Sequence, residues 1–503
     1  MAEERVHNAA FRHRIMDADE AACLIAHGDV VGMGGFGPGG TPKALPRALA
    51  RRAIARHERG EAFAISLLTG ASTTPDVDGV LARAEAISFR MPYMGDADLR
   101  AQANEGRVAY VDTHLSRVAP WARAGFLGKV DVAVIEAALI REDGGIVPTL
   151  AIGNAKTWLE MADKIIIEVN GWHTTELEGI HDIWAGDREA GARLPVVSWA
   201  GERIGGTVLR VPPDKIAAVV RTDEGDLGQS FRAVPDATRI AGHIIEFLKH
   251  EVVRGRLPEA LPPLQSGVGN IANAVMTALA DAPFENLTAY TEVIQDGMLD
   301  MVRSGKMRVV SGASLYLSNA QAAAAKADMG VLRDRLVLRQ QEVSNNPAVA
   351  RGLNCIAMNA GIEADIYGNV NSTRVMGSRV QNGIGGSGDF ARSALLSIFM
   401  LPSVARNGTI SSIVPMVSHV DHINQDVQVL VTEQGLADLR GLSARRRARV
   451  IIENCAHPDF RPQLRDYLAR AERVDGGGGD TPHLLGEALS WHQRFIETGS
   501  MRI

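Results

Sequence analysis

Short runs of β-branched residues alternate with longer helical stretches along this chain, and that alternation constrains its fold most. Asp29–Met33, Ala64–Leu68, Val108–Asp112, Val130–Ile135 and Lys164–Val169 read as strands. Pro42–His57 and Ala151–Met161 read as helices, the first with proline near its opening turn. Parallel neighbours need a crossover and a helix is the usual one, so the pattern points to an α/β fold with a mostly parallel sheet. The polar stretch Arg221–Gln229 interrupts it, followed by a helix at Ala237–Lys249 and a proline-bearing segment, Leu257–Pro263. A second alternation begins near Gln265 and continues through Tyr290–Ile294, Met307–Val310, Leu336–Arg339, Cys355–Ile366, Ile410–Pro415 and Val427–Thr432. With 503 residues, 46% of them hydrophobic, the chain is too long for one ordinary core. Two domains are expected, over residues 1–222 and 223–503. Gly476–Gly479 reads as a flexible break before a helical tail, and no short-period repeat is visible.

Composition excludes several function classes. A net charge of -6 is mild for this length and does not suit nucleic-acid binding, which favours a basic excess. The densest basic cluster, Arg445, Arg446, Arg447 and Arg449, reads as the solvated face of a helix. Cys23, Cys355 and Cys455 are odd in number and far apart, which excludes a disulfide framework and a cysteine zinc site. They read as small core residues in a reducing compartment. The N-terminus MAEERVHNAAFRHR lacks an apolar secretory core, and no stretch approaches the roughly 18 apolar residues of a membrane span. A cytoplasmic or matrix-like location is expected, without membrane association.

Three segments match the G-x-G-x-x-[GA] pattern: Gly32–Gly37, Gly267–Ala272 and Gly383–Gly388. The pattern suggests a dinucleotide fingerprint only where a strand leads directly into a helix. The first is followed by Pro38-Gly-Gly-Thr-Pro42, so its helix starts too late, and the third follows a hairpin-like region. The second has better context, and an acid, Glu292, lies downstream. Glycine also lets backbone N–H groups approach an anion closely, whether a phosphate or the oxyanion of an acyl-transfer intermediate. Any one of these loops could equally be a tight turn.

The order of motifs is more specific than any loop. The second half carries Gln265-Ser-Gly-Val-Gly-Asn-Ile-Ala-Asn-Ala-Val275, Tyr290-Thr-Glu-Val-Ile-Gln-Asp-Gly-Met-Leu-Asp300 and Gln341-Glu-Val-Ser-Asn-Asn-Pro347. It continues with Ile366-Tyr-Gly-Asn-Val-Asn-Ser-Thr373, Asn382-Gly-Ile-Gly-Gly-Ser-Gly-Asp-Phe390 and Thr432-Glu-Gln-Gly-Leu-Ala-Asp-Leu-Arg-Gly441. The first half carries Gly35-Phe-Gly-Pro-Gly-Gly-Thr-Pro-Lys-Ala-Leu-Pro46, Gly70-Ala-Ser-Thr-Thr-Pro-Asp-Val-Asp-Gly79 and Gly179-Ile-His-Asp-Ile-Trp184. Together they resemble the acetyl-CoA hydrolase/transferase family of class I CoA-transferases, nearest its succinyl-CoA:acetate branch, over almost the whole chain. The resemblance implies two tandem CoA-transferase-type α/β domains with the active site between them, and a homodimer. Coenzyme A would be a substrate, as acyl-CoA with small carboxylic acids, and no cofactor or metal would be held permanently. The catalytic glutamate would be Glu292. CoA contacts would fall at Gly267, Val268, Gly269, Asn270 and Ile271, and at Ile362, Asn382, Gly386 and Arg406. Three departures bear on acid selectivity: arginine at 406 in place of lysine, Arg374 in place of histidine, and Gly37-Pro-Gly-Gly40 in place of a Thr-Pro-Ala-Gly form.

In that chemistry Glu292 attacks the thioester and a glutamyl-CoA thioester follows a mixed anhydride. The backbone N–H groups of Val268 and Gly386 are candidate oxyanion donors, Asn345 a candidate side-chain positioner and Glu433 a supporting partner. Each has a plainer reading. Glu292 alone is a polar residue at a strand end, Asn345 an N-cap before Pro347, and Glu433 a cap for a helix at Gly435–Arg440. His419, Asp421 and His422 resemble metal ligands, but two histidines at i, i+3 without a clear third ligand partner make a weak signal, so a structural turn is expected. Glu363 and Asp365 alternate on one strand face, where a fixed pattern serves as well as acid–base work. No Gly-x-Ser-x-Gly elbow is present. Hydrolysis by water, propionyl-CoA:succinate transfer and a non-catalytic acyl-CoA sensor stay open as alternatives.

Overall fold

The computed structural model describes residues 5–72, 74–186, 194–228, 234–474 and 479–502. Thr73 of the Gly70–Gly79 motif, the start of the N-terminal stretch, Gln229 of the Arg221–Gln229 stretch and residues 476–478 of the glycine break lie outside them. The chain forms two compact units. One comprises Met1–Ser230 and Thr288–Leu353, the other Phe231–Leu287 and Asn354–Ile503. The units are therefore not contiguous in sequence, and Glu292 belongs to the first.

The first unit is built on a sheet ordered Ile216–Thr222, Lys164–Asn170, Val132–Ile140, Val30–Met33, Ile65–Leu68, Ile87–Met91, Ala109–Tyr110. Every pair along that path is parallel, and Ile146–Pro148 adds antiparallel to Val132–Ile140. Its central strands are buried on both faces and read as apolar runs, each interrupted by one buried glutamate, Glu136 and Glu168. The expected strand at Val108–Asp112 shrinks to Ala109–Tyr110 at the sheet edge, and the strand at Val130–Ile135 extends to Ile140. The helix expected from Ala151 starts only at Ala155, because Leu150 to Ile152 make backbone contacts with the Ala313–Leu315 segment instead. Trp158 on that helix is wholly buried against the sheet. Gly32 makes this possible: a Cβ there would fall 2.7 Å from the Trp158 ring. The first glycine of the first G-x-G-x-x-G match thus serves helix–strand packing, and its helix, Ala44–Glu58, begins late as expected. The same unit contains the shorter strands His181–Asp182, Leu336–Arg339 and Met307–Gly312, paired in parallel.

The second unit has four parallel strands in the order Leu264–Ser266, Ile356–Ala360, Leu396–Met400, Val429–Thr432, closed by antiparallel Gly435–Asp438. The last of these corrects an expectation: Gly435–Arg440 is no helix, and Glu433 caps none. The run Cys355–Ile366 is likewise two strands, Ile356–Ala360 and Glu363–Asp365, broken at Gly361–Ile362. Helices Pro235–Val253 and Asn270–Asp281 pack side by side, and Ala444–Cys455, Arg461–Ala471 and Ser490–Thr498 enclose the core of Phe399, Leu430, Ile451, Phe460 and Trp491. Glu363 ties the C-terminal helix to this core by accepting from Ser418, Asn371 and, at 2.7 Å, bonding His492. Burial raises its carboxyl, and those partners outweigh burial and hold it below the ordinary value. This is a structural cluster, as the fixed-pattern reading expected.

Cys355 and Cys455 are core residues, with thiols pushed by burial up to about 12, but Cys23 is exposed. The basic face of Ala444–Cys455 is solvated at Arg449, whereas Arg447 turns inward to the Asn424 and Val427 carbonyls. Among the described residues no helix is long and apolar enough to cross a membrane.

Candidate active site

Glu292 sits where strand Leu287–Tyr290 ends and the two-residue strand Val293–Ile294 begins. The expected strand at Tyr290–Ile294 is broken at this point. Thr291 N–H donates to Ser311 O and Ala313 N–H to Glu292 O, both at 2.8 Å, so the backbone stays anchored while the strand kinks. Gly312 permits the close approach: a Cβ there would meet Ile294 at 3.0 Å and the Glu292 carbonyl at 3.3 Å. The kink leaves the Glu292 side chain half-buried.

Asn345 Nδ2 donates to Glu292 Oε2 at 2.9 Å. The amide is held in that orientation because its Oδ1 accepts from Ser344 Oγ at 2.8 Å, leaving only N–H groups to face the carboxylate. Asn345 is 1% exposed and closes the short helix Gln341–Ser344 by donating its own N–H to Gln341 O. It is not the N-cap expected before Pro347. That role falls to Asn346, whose Oδ1 accepts from Ala348 and Val349 N–H groups.

The helix that presents Asn345 is clamped. Arg123 binds Glu342 through two 2.6 Å hydrogen bonds, Gln340 donates to the same carboxylate, and Gln341 donates to Leu115 O. This pair is nearly buried, 13% and 7% exposed. Arg123→Ala leaves the Glu342 carboxylate uncompensated, and we expect it to lower the unfolding free energy in urea by about 3 kcal/mol.

An apolar cluster adjoins Glu292: Phe36, Ala71, Leu115, Ala151, Val293, Ala313 and Tyr316, with Tyr93 packed against it. Tyr93's phenol is pushed above its ordinary value, by burial first and then by the neighbouring Glu292 carboxylate and Tyr316 phenol. It therefore stays a neutral hydroxyl at physiological pH. The glycine-rich loop after Val30–Met33 packs into this wall. Gly37 has φ of +60° and its hydrogen faces the Tyr316 ring, while Ser314 Oγ donates to Phe36 O at 2.8 Å. Neither tyrosine lies in a recognisable sequence pattern. Their role follows only from the fold.

The other sequence candidates lie in the second unit. Gly267 closes strand Leu264–Ser266, and its N–H is already committed to Met358 O at 2.9 Å. Val268 follows in the turn, 43% exposed, and among the described residues its N–H has no protein acceptor. Gly269, with φ of +124°, leads into the helix that starts Asn270-Ile271. Ile362 is half-buried and pairs through its N–H with Asn371 O. Asn382 spends its amide on Ser372 O and Gly383 O. Gly386 is buried and precedes helix Ser387–Ala391. That helix and Asn270–Asp281 both pack on strand Ile356–Ala360, which places the two glycine turns at the carboxyl end of the same strands. Arg406 lies in a hairpin turn between Val404–Ala405 and Ile410–Ser411, with φ of +47°, its guanidinium 5.4 Å over the Phe495 ring. Arg374 starts another hairpin, where its N–H donates to Asn371 Oδ1.

Glu433, 7% exposed, accepts from Ser403 N–H at 2.8 Å, from Ser403 Oγ and from Gln434 Nε2. Burial raises its carboxyl, but these donors outweigh burial and hold it below the ordinary value, so it stays ionised. It borders a cleft of ≈ 690 Å³ with Arg239, His243, Lys249 and Asp281. Asp421 binds Ser372 and Thr373, as a structural turn would. A different set, Glu136, His173 and Asp226, has metal-like spacing, but the Lys43 ammonium sits 2.6 Å and 2.8 Å from its two carboxylates and supplies the cation.

Residues 1–193 match the model of the acetyl-CoA hydrolase/transferase N-terminal domain, and residues 328–468 that of the C-terminal domain. The chain is 47% identical over 504 residues to a succinyl-CoA:acetate CoA-transferase of Clostridium kluyveri, covering 100% of this chain and 93% of the relative. It is 46% identical over 488 residues to a propanoyl-CoA:succinate CoA transferase of Escherichia coli, covering 97% and 98%. Among solved structures, RipA from Yersinia pestis matches with a TM-score of 0.72 over 92% of this chain and 98% of that one; at 23% identity this likeness speaks for the fold alone. Two family domains in order, with near-half identity along the whole length, establish that the chain belongs to the acetyl-CoA hydrolase/transferase family.

Proposed function

We propose that this protein is an acyl-CoA:carboxylate CoA-transferase, with succinyl-CoA and acetate as its pair, and that Glu292 is its nucleophile. The observation that carries the reading is the Glu292–Asn345 contact: a half-buried carboxylate met by an amide whose orientation is fixed from behind.

A Glu292 oxygen attacks the acyl-CoA carbonyl; the C–S bond breaks, CoA leaves as thiolate and a mixed anhydride remains. The thiolate attacks the glutamyl carbonyl and expels the donor carboxylate, leaving glutamyl-CoA. An acceptor carboxylate attacks that thioester, and the thiolate, released again, attacks the acceptor's acyl carbon to free Glu292. Every nucleophile and leaving group is an anion, so the cycle needs no net proton transfer, and the thioester bond is conserved without ATP. What each step needs is a donor for its tetrahedral oxyanion. The Val268 and Gly386 N–H groups are the proposed donors, each worth roughly 3–4 kcal/mol of barrier if well placed. Asn345 holds the attacking carboxylate.

The E. coli relative is almost as similar as the clostridial one, and hydrolysis is part of the family's description, so the test separates these outcomes. Purified protein is mixed with succinyl-CoA, with and without acetate or propionate, and products are followed by chromatography. Acetyl-CoA formed only with acetate is the expected result. Faster propionyl-CoA formation would reassign the acid. Free CoA released equally fast without any acceptor would make the protein a hydrolase.

A further inference from the structure

His422 was grouped by sequence with His419 and Asp421, yet its contacts lead to the glycine turn that contains Gly386. Its Nε2 lies 3.2 Å from Ser387 Oγ and 3.2 Å from Ser372 Oγ. Both hydroxyls have acceptors for their own protons: Ser387 donates to Ile384 O at 2.8 Å and Ser372 to Asp421 Oδ2 at 3.3 Å. Nε2 therefore carries the proton and donates to both oxygens. Ser387 is the residue after Gly386, and Ser372 O anchors Asn382 at the other end of the turn. One imidazole thus fastens both ends of 382–387.

His422 is itself held rigidly. It is 2% exposed, its backbone exchanges hydrogen bonds with Val370, and its ring packs on Phe399 of a central strand at 4.6 Å between centroids. Asp421 grips Ser372 N–H and the Thr373 hydroxyl beside it. Gly385, with φ of +62°, has no side chain to stiffen the turn from within, so stiffness must come from these outside contacts.

We propose that His422 is a positioning residue for CoA transfer, fixing the turn through Ser387 and Ser372 so that the Gly386 N–H is aimed before the oxyanion forms. The proposal rests on the reading of Gly386 as an oxyanion donor. Preorganised donors are useful only when they need not move during reaction, and misplacement by about 1 Å costs about 100-fold.

Three variants test it in the full-length protein with succinyl-CoA and acetate: His422→Ala, His422→Gln and Ser387→Ala. His422→Ala is expected to lower kcat about 10- to 100-fold with KM for succinyl-CoA changed less than about threefold. His422→Gln carries an N–H at the Nε2 position and is expected to recover most of that loss. Ser387→Ala, which spares the packing on Phe399, is expected to lose part of kcat, and adding it to His422→Ala should cost little more. Thermal melts confirm folding. A Ser387→Ala variant with unchanged kcat, or a folded His422→Gln no better than His422→Ala, would overturn the proposal in favour of packing alone. If the wild type itself makes no acetyl-CoA and shows no adduct on Glu292, the functional reading fails first and takes this one with it.

Discussion

Glu292→Ala is expected to reduce CoA transfer by at least about 10⁴-fold, the scale seen when a covalent nucleophile is removed, while the protein keeps its fold. The side chain ends half-buried, and its backbone hydrogen bond to Ala313 N–H does not depend on it. Val293, Ala313 and Tyr316 keep their packing without it. A melting temperature within a few degrees of wild type should therefore accompany the loss of activity, which separates chemistry from stability. Rapid-quench mixing with succinyl-CoA in the absence of acetate should also show no burst of succinate, the product released when CoA moves to the glutamate. A folded alanine variant that still transfers CoA would remove Glu292 from the mechanism.

The second large effect is expected at Asn345. Its amide donates to an ionised carboxylate, a class of hydrogen bond worth about 1.5–3 kcal/mol. Asn345→Ala should therefore lower kcat about 10- to 100-fold, measured by initial rates at saturating succinyl-CoA. Asn345→Asp should be worse near neutrality, because a second carboxylate beside Glu292 makes the pair hold a proton. A protonated glutamate is no nucleophile, so the remaining rate of that variant should rise as pH rises. The wild-type rate should show no such climb, since its cycle needs no proton transfer.

The parts of the fold set by repeating patterns were open to reading. Lys164–Val169 and Leu336–Arg339 are strands, and Val427–Thr432 is one from Val429 onward, because short, mainly apolar runs fit a sheet buried on both faces. The late helix after Gly32–Gly37 followed from Pro38-Gly-Gly-Thr-Pro42 alone. What failed was decided by pairing partners outside the segment itself. Gly435–Asp438 looked helical but pairs with Val429–Thr432, and the break at Thr291–Glu292 is dictated by Ser311–Ala313. Adjacent asparagines divided their roles by the direction the helix ends point: Asn346 caps and Asn345 reaches Glu292. The Glu292 assignment came from an ordered set of motifs, since a lone Glu at a strand end says nothing. Arg123, Tyr93 and Tyr316 carried no signal, because what matters about them is the group they touch.

The central claim is covalent: the acyl group and then CoA become attached to Glu292. The most direct measurement mixes the protein with succinyl-CoA in the absence of an acceptor acid, quenches in acid and reads the intact mass and peptide masses. An adduct of the mass of CoA on the peptide bearing Glu292, discharged by acetate with formation of acetyl-CoA and absent in Glu292→Ala, is the expected result. Transfer at the wild-type rate with unmodified protein throughout, or an adduct on another residue, would contradict the account.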